Sequence, residues 1–295
     1  MDCVKILKRC PSPIWCLIYG GGMLYAGTNA GVIEVWKDDE YVITLIDHDE
    51  DEPYSIKSLA YGKGLLYSAN YNGIRVWKDN VLISKLTEHV GMVNCLLYND
   101  GLLYSGGADN TVKIWEDNKC IATLDHDYKV NCLTYGDGTL YTGDNNGTIT
   151  LWKDNKRVDT IRCDYTTIAG PVYHLSYGCG KLHAITSNGP IDDDDFCPGG
   201  YLIHSWFDSL LIMTLHGGHN NMACIACNDM LYVSDSEGRI DEYEVENFKT
   251  YKRLSWGGSM VNAFAYNDGV LYSGHANGTI KVWREVGLLT KAALK

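Results

Sequence analysis

The sequence predicts an all-β protein of seven repeated units, each made of four short antiparallel strands, and three observations support this. A tryptophan ends the same short phrase again and again, as in Gly147-Thr-Ile-Thr-Leu-Trp152 and Gly278-Thr-Ile-Lys-Val-Trp283. A Leu-Tyr pair such as Leu103-Tyr104 precedes that phrase in nearly every unit. Apolar residues alternate with a period of two between turn residues, which is typical of strands. Self-similarity at intervals of roughly forty residues indicates a repeat architecture.

Two landmarks place the units along the chain. The first is the Leu-Tyr pair, with Leu-His in one copy: Leu24-Tyr25, Leu66-Tyr67, Leu103-Tyr104, Leu140-Tyr141, Leu182-His183, Leu231-Tyr232 and Leu271-Tyr272. The second is the tryptophan, which Tyr243 replaces in the sixth unit: Trp36, Trp77, Trp115, Trp152, Trp206 and Trp283. Between the strands lie residues that tolerate positive φ, such as Asp79-Asn80 and Asn99-Asp100-Gly101. These pairs favour hairpin turns.

The third unit resembles the WD-repeat β-propeller family most closely, through Glu88-His89, Leu103-Tyr104-Ser105-Gly106 and Val112-Lys113-Ile114-Trp115. The resemblance implies seven propeller blades, and in each blade a hydrogen-bonded tetrad of histidine, serine or threonine, aspartate and tryptophan. In the third blade these are His89, Ser105, Asp109 and Trp115. The fourth unit retains His126, Thr142 and Trp152. Other slots depart from the pattern: Asn146, Ala30 and Glu237 stand in place of the aspartate, and His48 and His219 lie at or near the histidine slot.

An orphan strand predicts how the ring of blades closes. Residues 2–8 precede the first unit, and we expect them to complete the seventh blade beside the strand that carries Trp283, because closure removes an exposed edge. Residues 286–290 are the alternative closing strand. The single domain covers residues 1–295, and residues 284–295 form a tail. The predicted blades occupy residues 10–46, 54–87, 91–124, 128–161, 170–215, 221–254 and 258–283.

Composition and charge limit which kinds of partner and which cellular compartment we expect. The net charge of −12 disfavours nucleic acid as a direct ligand. No apolar run approaches the roughly twenty residues of a membrane span, and the amino terminus lacks a signal-peptide core. We therefore expect a protein of the cytoplasm or nucleus, with no membrane partner and with reduced thiols. Four cysteines share one slot in the first strand, where they act as small buried apolar residues: Cys16, Cys95, Cys132 and Cys224.

Patterns that carry catalysis or metal binding are missing from the sequence. It contains no HExxH, no Gly-rich phosphate loop and no paired CxxC with zinc spacing. The aspartates of residues 192–195 lack the alternating oxygen ligands of an EF-hand. We expect no enzymatic activity, no cofactor and no metal site, and a catalytic or metal-binding propeller is a minor alternative.

Acidic insertions and aromatic residues outside the repeat pattern predict one partner-binding face. Residues 47–53 and 190–199 are long acidic loops that the resemblance places on one face of the disc, and the second contains Asp192, Asp193, Asp194 and Asp195. Equivalent positions in the seven blades are expected to line the mouth of the central channel: Trp15, Lys57, Asn94, Asn131, Tyr173, Ala223 and Asn262. Tyr71, and Trp256 in the loop entering blade seven, add aromatic groups. The alternative is that Trp15 and Trp256 only fill gaps between blades.

Two functions follow from this face. The first is a non-catalytic interaction scaffold whose acidic face binds a basic, Lys- or Arg-containing segment of a partner protein. The second is a permanent structural subunit of a larger complex, held through its blade edges and the turns of the opposite face. In both cases we expect a monomeric chain within a protein complex.

Overall fold

A computed structural model describes residues 1–8, 11–47, 53–163, 170–187, 201–207, 210–216, 221–227, 230–235, 237–245, 250–256 and 258–285. Within these ranges the chain forms seven antiparallel sheets of four strands each, arranged as the blades of a propeller. The all-β class and the number of blades are as the sequence predicts. No helix within these ranges is long and apolar enough to cross a membrane.

Six blades take their four strands consecutively from the chain, and the seventh adds the amino-terminal strand. Blade one comprises β2 (Ile14–Gly20), β3 (Met23–Thr28), β4 (Val32–Lys37) and β5 (Glu40–Ile46). Blade two comprises β6 (Ser58–Gly62), β7 (Leu65–Asn70), β8 (Gly73–Lys78) and β9 (Val81–Leu86). Blade three comprises β10 (Val93–Asn99), β11 (Leu102–Gly107), β12 (Thr111–Glu116) and β13 (Lys119–Asp125). Blade four comprises β14 (Val130–Gly136), β15 (Thr139–Asp144), β16 (Thr148–Lys153) and β17 (Lys156–Arg162).

The remaining three blades follow the same order. Blade five comprises β18 (Val172–Gly178), β19 (Lys181–Ser187), β20 (Tyr201–Phe207) and β21 (Leu210–His216). Blade six comprises β22 (Asn221–Cys227), β23 (Met230–Asp235), β24 (Arg239–Glu244) and β25 (Thr250–Trp256). Blade seven comprises β26 (Val261–Asn267), β27 (Val270–His275), β28 (Thr279–Arg284) and β1 (Asp2–Lys8). The first strands of neighbouring blades contact one another around the ring.

The amino-terminal strand closes the ring, as predicted. β1 pairs antiparallel with β28, and Cys3 lies opposite Trp283. β28 is thereby flanked by β27 on one side and β1 on the other. The alternative closing strand, residues 286–290, lies outside the described residues. Lys5 ties the new edge to blade one, because its Nζ donates to Asp39 O at 3.0 Å and to Glu40 Oε1 at 3.1 Å.

Small residues let the blades approach closely near the channel. A side chain on Gly106 of blade three would meet Val130 of blade four at 2.6 Å, and one on Gly143 of blade four would meet Val172 of blade five at 2.6 Å. Both valines begin the first strand of their blade and are fully buried. Cys95 and Cys132 are buried beside these glycines. Burial raises the pKa of the Cys95 thiol to about 12, so this thiol stays protonated and packs as an apolar group.

Pairs of tyrosines join neighbouring blades on the side of the hairpin turns. The tyrosine of the Leu-Tyr landmark meets a tyrosine from the first strand of the next blade, with ring centroids about 6 Å apart. The pairs are Tyr25–Tyr61 at 6.0 Å, Tyr67–Tyr98 at 5.9 Å, Tyr104–Tyr135 at 6.2 Å, Tyr141–Tyr177 at 5.6 Å and Tyr272–Tyr19 at 6.0 Å. The landmark that marks the repeat in the sequence is therefore a contact between blades.

Candidate functional site

The strand order defines two faces of the disc. We call upper face the side where each first strand begins and where the second and third strands are joined, as at Trp15, Asn29 and Tyr71. We call lower face the side of the hairpin turns that join the first strand to the second and the third to the fourth, as at Asp100 and Asp117. The predicted partner-binding residues with described positions all lie towards the upper face.

The asparagines of the predicted channel ring bind the neighbouring blade. Asn94 Nδ2 donates to Val130 O at 2.8 Å, Asn131 Nδ2 donates to Val172 O at 3.3 Å, and Asn262 Nδ2 donates to Ile14 O at 2.8 Å. Each acceptor belongs to the first strand of the next blade. These amides therefore bridge blades, and their primary role in this structure is to hold the ring together.

Where the ring lacks asparagine, blades one and two place an aromatic and a cationic side chain side by side. Trp15 is 36% exposed, and Lys57 Nζ lies 4.9 Å from the centre of its ring. Trp15 Nε1 donates to Asn29 Oδ1 at 2.9 Å, and Ser55 Oγ donates to the same oxygen at 2.7 Å. Two hydrogen bonds to one amide oxygen fix the indole in place, so its exposed part is a preorganised surface.

A second aromatic pair adjoins this cluster on blade two. Tyr54 and Tyr71 stack with centroids 5.1 Å apart, and Tyr71 is 54% exposed. Tyr54 follows the acidic run of residues 49–52 in the sequence, and that run lies outside the described residues. We define the blade 1–2 patch by its members: Trp15, Asn29, Tyr54, Ser55, Lys57 and Tyr71. The sequence did not predict that Asn29, Tyr54 and Ser55 belong to a binding surface, because all three are residue types that are common in loops.

The remaining predicted partner-binding residues are not gathered with this patch. Tyr173 is half-buried at the start of β18, and Ala223 lies on β22, where it pairs with Ser234. Trp256 is not in the loop entering blade seven, as the sequence suggested. It is the last residue of β25, the outer strand of blade six, and it pairs with Arg239. The expectation was wrong because the outer strand runs on through the polar residues that precede Trp256. Asp192, Asp193, Asp194 and Asp195 lie outside the described residues.

The tetrad of blade three forms a continuous hydrogen-bonded chain. Trp115 Nε1 donates to Ser105 Oγ at 2.8 Å, Ser105 Oγ lies 2.8 Å from His89 Nε2, and His89 Nδ1 lies 2.8 Å from Asp109 Oδ2. Burial lowers the pKa of His89 despite the nearby carboxylate of Asp109. Burial raises the pKa of Asp109, but hydrogen bonds from Val90 N, His89 and Thr111 outweigh it and hold this pKa below its usual value.

Other blades fill the same location with different groups. In blade two, Trp77 Nε1 donates to Ser68 Oγ at 2.9 Å, and the buried Asp47 pairs with the buried Arg75, with Arg75 Nη1 to Asp47 Oδ1 at 2.5 Å. His48, which was expected near this slot, lies outside the described residues, as does His219. In blade seven, His275 comes from the second strand, and its Nε2 lies 2.9 Å from Ser273 Oγ.

The turn-bonding aspartate also sits two residues earlier than expected in two blades. Asp144 Oδ1 accepts from Asn146 N at 2.8 Å and from Thr148 N at 2.9 Å. Asp235 Oδ1 accepts from Glu237 N at 3.0 Å and from Arg239 N at 2.9 Å. In these two blades the turn hydrogen bonds are therefore accepted by Asp144 and Asp235, and not by Asn146 and Glu237. The signal was present in the sequence, since an acidic residue lies two positions upstream in both units.

Comparison with known proteins agrees with this geometry. The family profile described as "WD domain, G-beta repeat" matches residues 80–116 and 118–153. This chain is a seven-bladed propeller, and its WD40 repeats are those of residues 80–116 and 118–153. The WD40 β-propeller domain of Doa1 superposes with a TM-score of 0.78 at 16% sequence identity, covering 96% of this chain and 97% of that one. The computationally designed Ika8 protein superposes with a TM-score of 0.71 at 18% identity, covering 96% and 100%. No protein of curated function matches the chain in sequence.

Proposed function

We propose that this WD40 propeller is a non-catalytic scaffold that binds a partner protein through the blade 1–2 patch on its upper face. WD40 propellers in general are protein-interaction scaffolds. The observation that carries the proposal is the exposure of Trp15 and Tyr71 on the upper face. Aromatic side chains held rigidly at a surface make effective anchors, because little conformational entropy is lost when they bind.

We further propose that the partner segment is basic. Lys57 already lies over the Trp15 ring, which supports the capacity of this indole to accept a cation. The acidic residues of positions 49–52 adjoin Tyr54 in the sequence, and those of positions 192–195 add to the charge of the chain. A Lys or Arg stem stacked on Tyr71, with its charge steered by these acids, fits this arrangement. The proposed setting is the cytoplasm or nucleus.

The test compares exposed aromatic residues of the upper face. Trp15→Ala and Tyr71→Ala should each reduce capture of the partner by the full-length tagged chain, with faster dissociation of the complex. Tyr128, in the loop between β13 and β14, is 47% exposed on the same face but on another blade, so Tyr128→Ala is the control and should capture normally. Unchanged capture by both patch variants, with circular dichroism showing a normal fold, would move the site elsewhere.

The acidic loop has its own test. Replacing Asp192, Asp193, Asp194 and Asp195 by Asn should slow association with the partner and flatten its dependence on salt, because peripheral charge mainly steers encounter. Surface plasmon resonance at two ionic strengths gives both quantities. If the dependence of the association rate on salt does not change, the partner segment is not basic. The proposal is then limited to the aromatic contact.

A second candidate function, a permanent structural subunit, is favoured by the outer strands of blades one and two. β5 exposes Val42, Ile43 and Ile46, and β9 exposes Val81, Leu82 and Ile83, at 38–62% each. Neighbouring aliphatic edges of this kind are a surface for pairing or burial. If this chain is a permanent subunit, Leu82→Lys with Ile43→Lys should release it from its complex, whereas Trp15→Ala should not. The reverse result favours the scaffold.

A further inference from the structure

A cavity lies on the lower face between blades six and seven. Its volume is about 650 Å³, and blade six contributes Met230, Tyr232, Glu242 and Glu244 to its wall. Blade seven contributes Tyr266, Asp268, Arg284 and Glu285, and Met1 completes the wall at the closing strand. Equivalent cavities are about 90 Å³ between blades four and five and about 30 Å³ between blades two and three. A volume of about 300–1,000 Å³ is the usual range for a small-ligand site.

The wall of this lower cavity is acidic. Four carboxylates line it, those of Glu242, Glu244, Asp268 and Glu285, together with one cationic side chain, Arg284. Arg284 Nη2 donates to Asp39 Oδ2 at 2.9 Å, so its charge is engaged outside the cavity. Lys252, opposite Glu242 on β25, donates to Met1 O at 2.9 Å and to Asp2 Oδ1 at 3.0 Å. Both cations thus donate their hydrogen bonds to other acceptors, and the charge of Lys252 acts on Asp2 more strongly than on Glu242.

Glu242 is a separate observation that points to a ligand. Glu242 is only 4% exposed, and its Oε1 accepts a hydrogen bond from Tyr232 Oη at 2.8 Å. Its Oε2 is buried and has no hydrogen-bond partner among the described residues. A buried carboxylate oxygen without a donor costs free energy, so a ligand that supplies a donor would be stabilised there.

The arrangement favours an organic cation over a metal ion. Among the described residues, no three His, Cys, Asp or Glu side chains lie close enough together to hold a metal. The carboxylates are instead spread around a wall that also contains tyrosine rings and methionine side chains, which suit an aliphatic stem and a cation over a ring. We propose that the lower cavity binds an ammonium or guanidinium group carried on an aliphatic stem, with the Glu242 carboxylate as its counter-ion.

Calorimetric titration of the full chain tests this with defined probes. Agmatine and cadaverine should bind saturably, whereas 1,5-pentanediol, which has a similar stem and no charge, should not. Glu242→Gln keeps an acceptor for Tyr232 Oη but removes the charge, and it should weaken agmatine binding about tenfold or more. Glu116, an exposed glutamate at the lower-face end of β12, gives the control Glu116→Gln, which should bind normally. The peptide acetyl-Gly-Arg-Gly-amide shows whether the natural ligand is a protein side chain or a free small cation. Tighter binding of the peptide than of agmatine indicates a protein side chain, and weaker binding indicates a free small cation.

A second variant covers the case in which Glu242→Gln does not fold. Met230→Arg places a tethered guanidinium at the cavity wall, and it should abolish agmatine binding without lowering thermal stability. Trp15→Ala, on the upper face, should leave agmatine binding unchanged. The cation-binding proposal and the scaffold proposal can therefore fail independently of each other. The proposal is overturned if the charged probes fail to saturate, if the diol binds as well as they do, or if Met230→Arg and folded Glu242→Gln bind agmatine as the unmodified chain does.

Discussion

Blades two and three bury the same tryptophan–serine hydrogen bond and complete it with different chemistry. In blade three, Ser105 leads to His89 and Asp109. In blade two, Ser68 lies opposite Arg75, which pairs with Asp47, the residue that follows the outer strand of blade one. Asn70 Nδ2 also donates to Asp47 O at 3.2 Å. One architecture therefore accepts either a histidine relay or a buried ion pair, provided that the buried polar groups have partners.

The two networks differ in what the loss of one member leaves behind. Asp47 is fully buried and the Arg75 side chain is 5% exposed, so a substitution of either residue breaks a buried ion pair. His89 bears little charge at neutral pH because burial lowers its pKa. We therefore expect blade two to be the more sensitive of the two to single substitutions.

The largest expected effect is that of Arg75→Met. It leaves the buried Asp47 carboxylate without its cation and should lower the free energy of unfolding by about 3–5 kcal/mol. Lys113 occupies the equivalent position of blade three, opposite Ser105, and is only half-buried. Lys113→Met is the control and should cost less than about 1 kcal/mol. Urea denaturation of both variants gives the comparison, and equal losses would contradict it.

A smaller effect is expected for Asp109→Ala. This change leaves a donor of the buried His89 ring without its acceptor, and should cost about 1–3 kcal/mol. Glu237, which the repeat pattern aligns with Asp109, is exposed and forms a surface ion pair with Arg239 at 2.7 Å. Glu237→Ala should therefore cost less than about 1 kcal/mol. Similar shifts of the melting temperature in the two variants would show that the tetrad carries no special stability.

The smallest effect is a difference in pH dependence between blades seven and three. Burial lowers the pKa of His275 to about 4, below its unfolded value of 6.5, so the folded state binds fewer protons than the unfolded state. The stability is fully present above pH 6.5 and is lost as the pH falls towards 4, by at most about 1.4 kcal/mol per pH unit for one histidine. His275→Gln should flatten the slope of unfolding free energy between pH 6.5 and 5.

His89→Gln provides the comparison for that slope. Asp109 opposes the effect of burial on His89, so this residue contributes less to the pH dependence than His275 does. Chemical denaturation across this pH range should show the larger flattening for His275→Gln. A slope that neither variant changes, or one that His89→Gln flattens more, would contradict this account of the two histidines.

The sequence predicted the architecture because the repeat encodes it several times over. Turn residues, Leu-Tyr pairs and tryptophans recur along the chain, with Leu182-His183 in blade five and Tyr243 in blade six as exceptions. The closing strand at residues 2–8 is the segment without a blade of its own. The chemistry of single blades was harder to predict because it depends on residues from different units. Asp47 and Arg75 are 28 positions apart and match no motif, and nothing in the sequence shows that both are buried together.

The channel ring shows the same limit at the candidate site. The positions of Asn94, Asn131 and Asn262 could be predicted from their equivalence, but their amides donate to the next blade. The contacts that these asparagines make across blades show that their role is structural, whereas the indole of Trp15 remains exposed. The sequence does not contain that distinction. Asn29 accepts from that indole and Ser55 donates to Asn29, but the two residues belong to different loops, so the sequence alone does not bring them together.

A double-mutant cycle on Asp47 and Arg75 tests most directly whether a buried ion pair replaces the histidine relay in blade two. The variants are Asp47→Leu, Arg75→Met and the two combined, and the free energy of unfolding is measured by urea denaturation. We predict that each single change costs about 3–5 kcal/mol and that the double variant recovers most of that loss, since removing both charges leaves none unpaired. Additive losses in the double variant would contradict the pairing of these two residues.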